Sequence, residues 1–338
     1  MRLENVLALT HGSLVNEPFV KLFTNVVYEA KAVKRGDLFM AFDEESIEDA
    51  ILNGAYGILF SKPTQISDSE IAWIKVSNLE NALLRLLRFQ LIDKNVTVYE
   101  TNEIVLKLAL QVFTTQNFIA IHGDILSIAE QLRAIEVGAT ILFCPTLSDK
   151  SLFTNIITLS NTNVKSINII EQTLFETSFI YKNIFYERQL ISPFFIPYLE
   201  TLLYLFQNLK IEYRLKKFTP IDHFEPIFTN KNFEIKEFGT TDKVLIFEKE
   251  SSLLESELLF LKSEATWAKI IYILPYSDIS LAKKIEDKKS LILYENKNDI
   301  LNLLRERKFN FALIIGVTKE ILEKTSVTQT QLSLFDFE

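Results

Sequence analysis

Glycine is nearly missing from this chain, with 8 in 338 residues, where an ordinary composition holds about 7%. Loops that wrap a phosphate need glycine, because only a residue without Cβ lets the backbone approach the ligand closely. The scarcity therefore argues against a nucleotide site, and no GxGxxG occurs. The single cysteine, Cys144, excludes an internal disulfide and a cysteine-rich zinc centre. Three scattered histidines, His11, His122 and His223, make a histidine metal site improbable, and no metal is expected. No apolar run reaches the roughly 18 residues that span a membrane. Glu4 interrupts what would be the apolar centre of a signal peptide. A cytoplasmic protein with no membrane partner is expected. The net charge of −8 argues against whole-molecule attraction to nucleic acid, so no direct nucleic-acid partner is expected either. What the chain does have is core material: 48% hydrophobic residues, 27 of them Phe.

The first segment alternates short strands and helices. Lys34–Asp37 is a turn and Leu38–Phe42 a strand; Glu44–Asn53 is a helix stopped by Gly54. Ala55–Phe60 and Ile71–Val76 are strands. Asn78 caps a helix over Leu79–Leu91 whose leucines fall on one face. The words KAVKRGDLFMAF, NGAYGILFSKP and WIKVSNLENALLRLL, in this order, resemble the N-terminal domain of Mur ligases. They are most similar to the branch that adds D-Ala-D-Ala to UDP-MurNAc-tripeptide. The resemblance implies that an Asp-Ser/Thr-Arg triplet should help hold the UDP-sugar. The matching positions are Glu29, Ala30 and Lys31, so that triplet is lost.

The resemblance continues through the next segment. Val96–Tyr99 reads as a buried strand, and a helical pattern starts at Glu103. Between a strand and helix at this place the family carries an ATP-binding loop ending Gly-Lys-Thr/Ser. Here the turn is Glu100, Thr101, Asn102 and Glu103, with no glycine, no lysine and an acid at each end. These acids would repel a triphosphate. The family's magnesium-binding glutamate would follow the strand Ala139–Phe143, but Cys144-Pro145 stands there. The segment with the carbamylated lysine is missing, and Ser192–Pro197 replaces the Gly-x-His-Asn helix start. His122 and Asp124 read as a helix N-cap region rather than a catalytic pair, and Cys144 as a buried strand-end residue. A helix over Tyr198–Leu209 is expected, followed by a second, shorter one.

From His223 the pattern is Rossmann-like. HFEPI at His223–Ile227 stands where the family has Pro-Gly-Arg, and Glu248–Ser252 replaces its Asp-Ser-Tyr-Asn-like word. Strands are expected at Lys243–Phe247, Ile270–Leu274, Leu291–Tyr294 and Phe311–Ile315. Helices are expected at Leu253–Ser263, Ile279–Glu286 and Asn298–Lys308, and together they predict a mostly parallel, doubly wound sheet.

The last residues, Gln331, Leu332, Ser333, Leu334 and Phe335, are similar to the peptide by which bacterial replication proteins dock on the DNA polymerase sliding clamp. The fold expected is α/β in three domains of Mur-ligase type: 1–93, a shortened central domain 94–222 without a phosphate loop, and a Rossmann-like domain 223–326. A flexible tail is expected over 327–338. The function expected is a non-catalytic binding or regulatory protein that takes no cofactor and docks the clamp. The alternative is an ATP- and Mg-dependent UDP-MurNAc-tripeptide D-Ala-D-Ala ligase with a diverged site.

Overall fold

Apolar strands too short to hide themselves must share a sheet, and the N-terminal segment builds one of five. In the computed structural model, which describes residues 1–322 except Gln116 and Asp242, the chain opens with a helix that the sequence patterns did not suggest. This is α1 (Leu3–Thr10), which buries Leu3, Val6 and Thr10. Then come β1 (Ser13–Leu14), β2 (Val26–Val27), β3 (Leu38–Met40), α2 (Ile47–Leu52), β4 (Gly57–Phe60) and β5 (Ala72–Lys75). Their order across the sheet is β1-β5-β4-β3-β2, parallel except for β1. Helix α3 (Leu79–Asp93) starts on Asn78, whose Oδ1 accepts from Asn81 N at 2.8 Å. It buries Leu79, Leu83, Leu86, Leu87 and Leu91, each contributing about 1.5–3 kcal/mol by leaving water.

After α3 follow β6 (Thr97–Glu100), α4 (Glu103–Ala109), β7 (Val112–Thr114), β8 (Phe118–Ala120), α5 (Ile125–Leu132), β9 (Thr140–Phe143) and β10 (Ile157–Thr158). Strands β10-β6-β9-β8 form a parallel sheet in that order. Its inner residues Val98, Ile141 and Phe143 share one core with the leucines of α3 and with Leu38 and Met40 of β3. By packing, the chain divides into two compact units, residues 1–106 with 114–159, and 107–113 with the chain from Ser160 onward. The division at 93/94 and 222/223 is one of resemblance and stays a proposal; the first unit runs across the former.

The second unit contains a hairpin sheet of β11 (Asn168–Gln172), β12 (Thr177–Tyr181) and β13 (Ile184–Gln189). Helix α6 (Ile196–Asn208) follows. The second short helix expected after it is a strand instead, β14 (Tyr213–Leu215), paired with β7. Lys210 takes φ +53° and Ile211 N donates to Phe206 O, which ends the helix. Tyr213 then lies against Phe206, ring centroids 5.0 Å apart, and its hydroxyl bonds that of Tyr181.

The unit is completed by β15 (Glu225–Thr229), β16 (Lys243–Glu248), α7 (Leu254–Glu264), β17 (Ile270–Pro275), β18 (Leu291–Tyr294), α8 (Ile300–Arg305) and β19 (Phe311–Ile315). The sheet order is β15-β16-β19-β17-β18, with only β15 antiparallel. This is the mostly parallel sheet that the alternation implied. The helix expected over 279–286 is replaced by 3-10 turns at Tyr276–Asp278 and Leu281–Lys284. Lys288 Nζ takes the carbonyls of Ala282 and Ile285, at 2.6 and 2.8 Å, and holds the segment as turns. Among the described residues no helix is long and apolar enough to cross a membrane. The clamp-like word Gln331–Phe335 lies outside the described residues.

Candidate functional site

The turn between β6 and α4 is where the family resemblance puts a phosphate loop. Its groups are engaged within the first unit. Thr101 N donates to Phe143 O at 2.9 Å, continuing the ladder toward β9. Asn102 is exposed, and its Oδ1 accepts from Val105 N at 2.9 Å, capping the helix. Glu100 is half-buried; its Oε2 takes Lys150 Nζ at 2.6 Å. Glu103 is buried, and its Oε2 accepts from Thr146 Oγ1 at 3.3 Å. A helix N-terminus favours an anion, and here Asn102 and Glu103 already supply oxygen acceptors. The cation at the turn, Lys150, is paired with Glu100. The residues present do not fit a triphosphate with magnesium.

Glu29 and Lys31 are exposed and flank Ala30 at the start of a 3-10 turn, Ala30–Ala32, which Asn53 Nδ2 holds by the Ala30 carbonyl at 3.0 Å. Asp124 is the N-cap of α5, accepting from Ser127 N at 2.8 Å, which holds its carboxyl below the usual range. Cys144 is buried, with Sγ 3.1 Å from Thr146 Oγ1.

The densest polar arrangement lies in the second unit, at the carboxyl end of β16. The register of β15 and β16 sets Glu225 opposite Phe247, so His223 and Glu248 come to the same strand ends. Both side chains are fully buried, with His223 Nδ1 2.9 Å from Glu248 Oε1. Glu248 also accepts from Phe224 N at 3.0 Å and Glu250 N at 2.7 Å. Helix α7 adds Glu257, likewise buried. Burial first, then the charge of Glu248 and a hydrogen bond to it, push the Glu257 carboxyl well above the usual range. Were both acids ionised, neither oxygen of Glu257 would have a donor; protonated, Glu257 donates to Glu248. Tyr198, half-buried, is raised first by burial and then by the neighbouring acids.

Next to His223 stands exposed Asp222, bonded by Lys107 and by Lys249 Nζ, the latter at 3.0 Å. Burial works against its charge, yet the two lysines bring the carboxyl down to about 2. This end of the sheet therefore favours the neutral form of Glu257 inside and a carboxylate outside, on Asp222. The sequence words flagged His223 and Glu248–Ser252 separately. Their pairing was missed, and the signal that could have found it is a histidine and an acid at adjacent strand ends. Within that word Ser252 Oγ donates to Glu250 Oε2 at 3.4 Å, while the Glu250 amide joins the buried group through Glu248.

No protein-family model matches the sequence, and no curated protein does. Solved structures do. Crystal structure I of MurF from Acinetobacter baumannii superposes with a TM-score of 0.52 at 9% identity, covering 97% of this chain and 98% of that one. The MurF ligase from Thermotoga maritima in complex with ADP gives 0.46 at 12%, over 90% and 96%. The UDP-N-acetylmuramate-alanine ligase MurC from Thermotoga maritima gives 0.40 at 10%, over 88% and 94%. At such identities the likeness is one of architecture, and the first of these carries it. Over nearly its whole length, the chain has the α/β fold of a Mur ligase.

Proposed function

We propose that this chain is a Mur-ligase-like protein without ligase chemistry, which serves as a binding or regulatory protein and docks on the bacterial DNA polymerase sliding clamp. The observation that carries the docking is the word Gln331–Phe335. A glutamine amide can hydrogen-bond at the rim of a pocket, and Leu334 and Phe335 can fill its apolar floor. The loss of ligase chemistry is supported by the turn at Glu100–Glu103. Phosphoryl transfer relies on cations and amides around the phosphates, and this turn presents carboxylates and an asparagine cap instead. The body takes neither ATP nor magnesium in this reading.

The full chain should bind a purified bacterial sliding clamp in calorimetry. Leu334→Ala/Phe335→Ala should weaken that binding at least tenfold. Equal binding by both proteins, or none by either, would refute the docking. Titration of ATP with magnesium should give no heat of binding; ordinary micromolar affinity would restore the ligase reading.

A further inference from the structure

We propose that the second unit carries a groove for single-stranded nucleic acid at the amino ends of its sheet. A groove of about 990 Å³ is lined there by Lys231, Lys243, Arg305, Arg307 and Lys308, with no acid among the described residues that line it. The last turn of α8 accounts for Arg305, since a cation there offsets the helix dipole. It does not account for Arg307 and Lys308, which follow the helix and are exposed. The Lys243 ammonium lies over the rings of Phe233 and Phe309, at 4.6 and 4.4 Å, and five cations along one groove make it attractive to a polyanion. The overall charge of −8 is thus no guide to this face.

The groove shares Gly239 and Thr241 with a hollow of about 270 Å³ whose walls are aromatic. Phe175 meets Phe228 and Phe311 edge-on, at 6.1 and 6.0 Å, and these buried rings form a rigid floor. At the mouth, Trp267 is 72% exposed and stands edge-on to Phe311 at 5.7 Å. Phe238 is also exposed. The one acid among the described residues that line the hollow, Glu176, faces Arg188 at 3.5 Å. A cationic track beside open aromatic faces is the chemistry of single-strand binding, with phosphates on the cations and bases on the rings. A duplex keeps its bases stacked and cannot use the rings. One mononucleotide has too few phosphates for five cations. The groove sits opposite the carboxyl ends of the parallel strands, where doubly wound sheets hold their cofactors, so it is not the cleft inherent in the fold.

The test is fluorescence anisotropy of a labelled 15-nucleotide oligothymidylate with the full chain, without any clamp. Micromolar binding at low salt is expected. The slope of log K against log salt should approach roughly −3.5 if all five cations engage phosphates. Arg305→Glu/Lys308→Glu should weaken binding at least tenfold and flatten that slope. Trp267→Ala should cost about tenfold with the slope kept, and Trp267→Phe should restore most of it. Arg85→Glu/Arg88→Glu, exposed on α3 and equal in charge change, should leave binding within about twofold. Absence of binding by the native chain, equal loss in that control, or equal affinity for a 15-base-pair duplex or for UMP would overturn the proposal.

Discussion

Glu257 and Glu248 face each other inside the second unit, both fully buried, and burial beside Glu248 holds the Glu257 carboxyl well above the usual range. The unfolded Glu257 titrates near 4.5 and the folded one well above it. The folded state therefore binds more protons, and stability falls as pH rises through the window that opens near 4.5, by about 1.4 kcal/mol per pH unit. Glu257→Gln keeps a donor toward Glu248 and removes that titration. Urea unfolding of the two proteins should give similar values near pH 4, with the variant gaining steadily as pH rises. Parallel curves would show that Glu257 is ionised in the folded protein.

Asp222 has the opposite sign. Its folded value near 2 lies below the ordinary 3.8, so its stabilising effect is present above pH 4 and is lost as pH falls toward 2. The side chain is 45% exposed, and solvent screening limits the effect to roughly 0.5–1 kcal/mol. Asp222→Asn should lower stability by that amount at pH 7 in low salt. In 1 M NaCl most of the difference should vanish, as thermal scans can check.

Asp37 should matter more than an acid in a turn usually does. It is 2% exposed. Oδ1 accepts from Asn25 N at 3.1 Å and from Asn25 Nδ2 at 3.0 Å, and Oδ2 from Lys34 N at 2.9 Å. Asp37→Ala leaves these part-buried donors without their acceptor, at a cost of about 1–2 kcal/mol. Asp37→Asn should recover part of this, because one oxygen remains. Chemical denaturation of the three proteins provides the comparison.

Asn16 acts as a stand-in strand partner for β5. Its Oδ1 accepts from Trp73 N at 3.0 Å, and its Nδ2 donates to Ile71 O at 2.7 Å. Asn16→Asp places a carboxylate against that carbonyl and should cost more than Asn16→Ala, about 2–3 kcal/mol. Hydrogen exchange at the Trp73 amide should accelerate in both variants.

Much of the fold was legible because its strands are short apolar runs between sharp turns. Leu291–Tyr294 and Phe311–Ile315 have the bounds that the sequence patterns suggest. The Lys34–Asp37 turn was legible as well, and Asp37 explains why: the word is a hydrogen-bonded unit in itself. Partner choice was not legible. His223 and Glu248 are 25 positions apart, and only the register of β15 on β16 makes them neighbours. Glu257 looks like an ordinary acid on an amphipathic helix; nothing local says that the sheet covers it. The turn at Glu100–Glu103 was visible from composition, but its ties to Phe143, Thr146 and Lys150 depend on strand order.

The leucines of α3 rest against Leu38 and Met40 on one side of residue 93 and against Val98, Ile141 and Phe143 on the other, in one continuous core. The consequence is that residue 93 is not a place to cut. A fragment ending at 93 would bare the part of its last helix that faces Val98, Ile141 and Phe143, while the remainder would lose the wall of its first sheet. Heat and protease should meet a single cooperative body across this point.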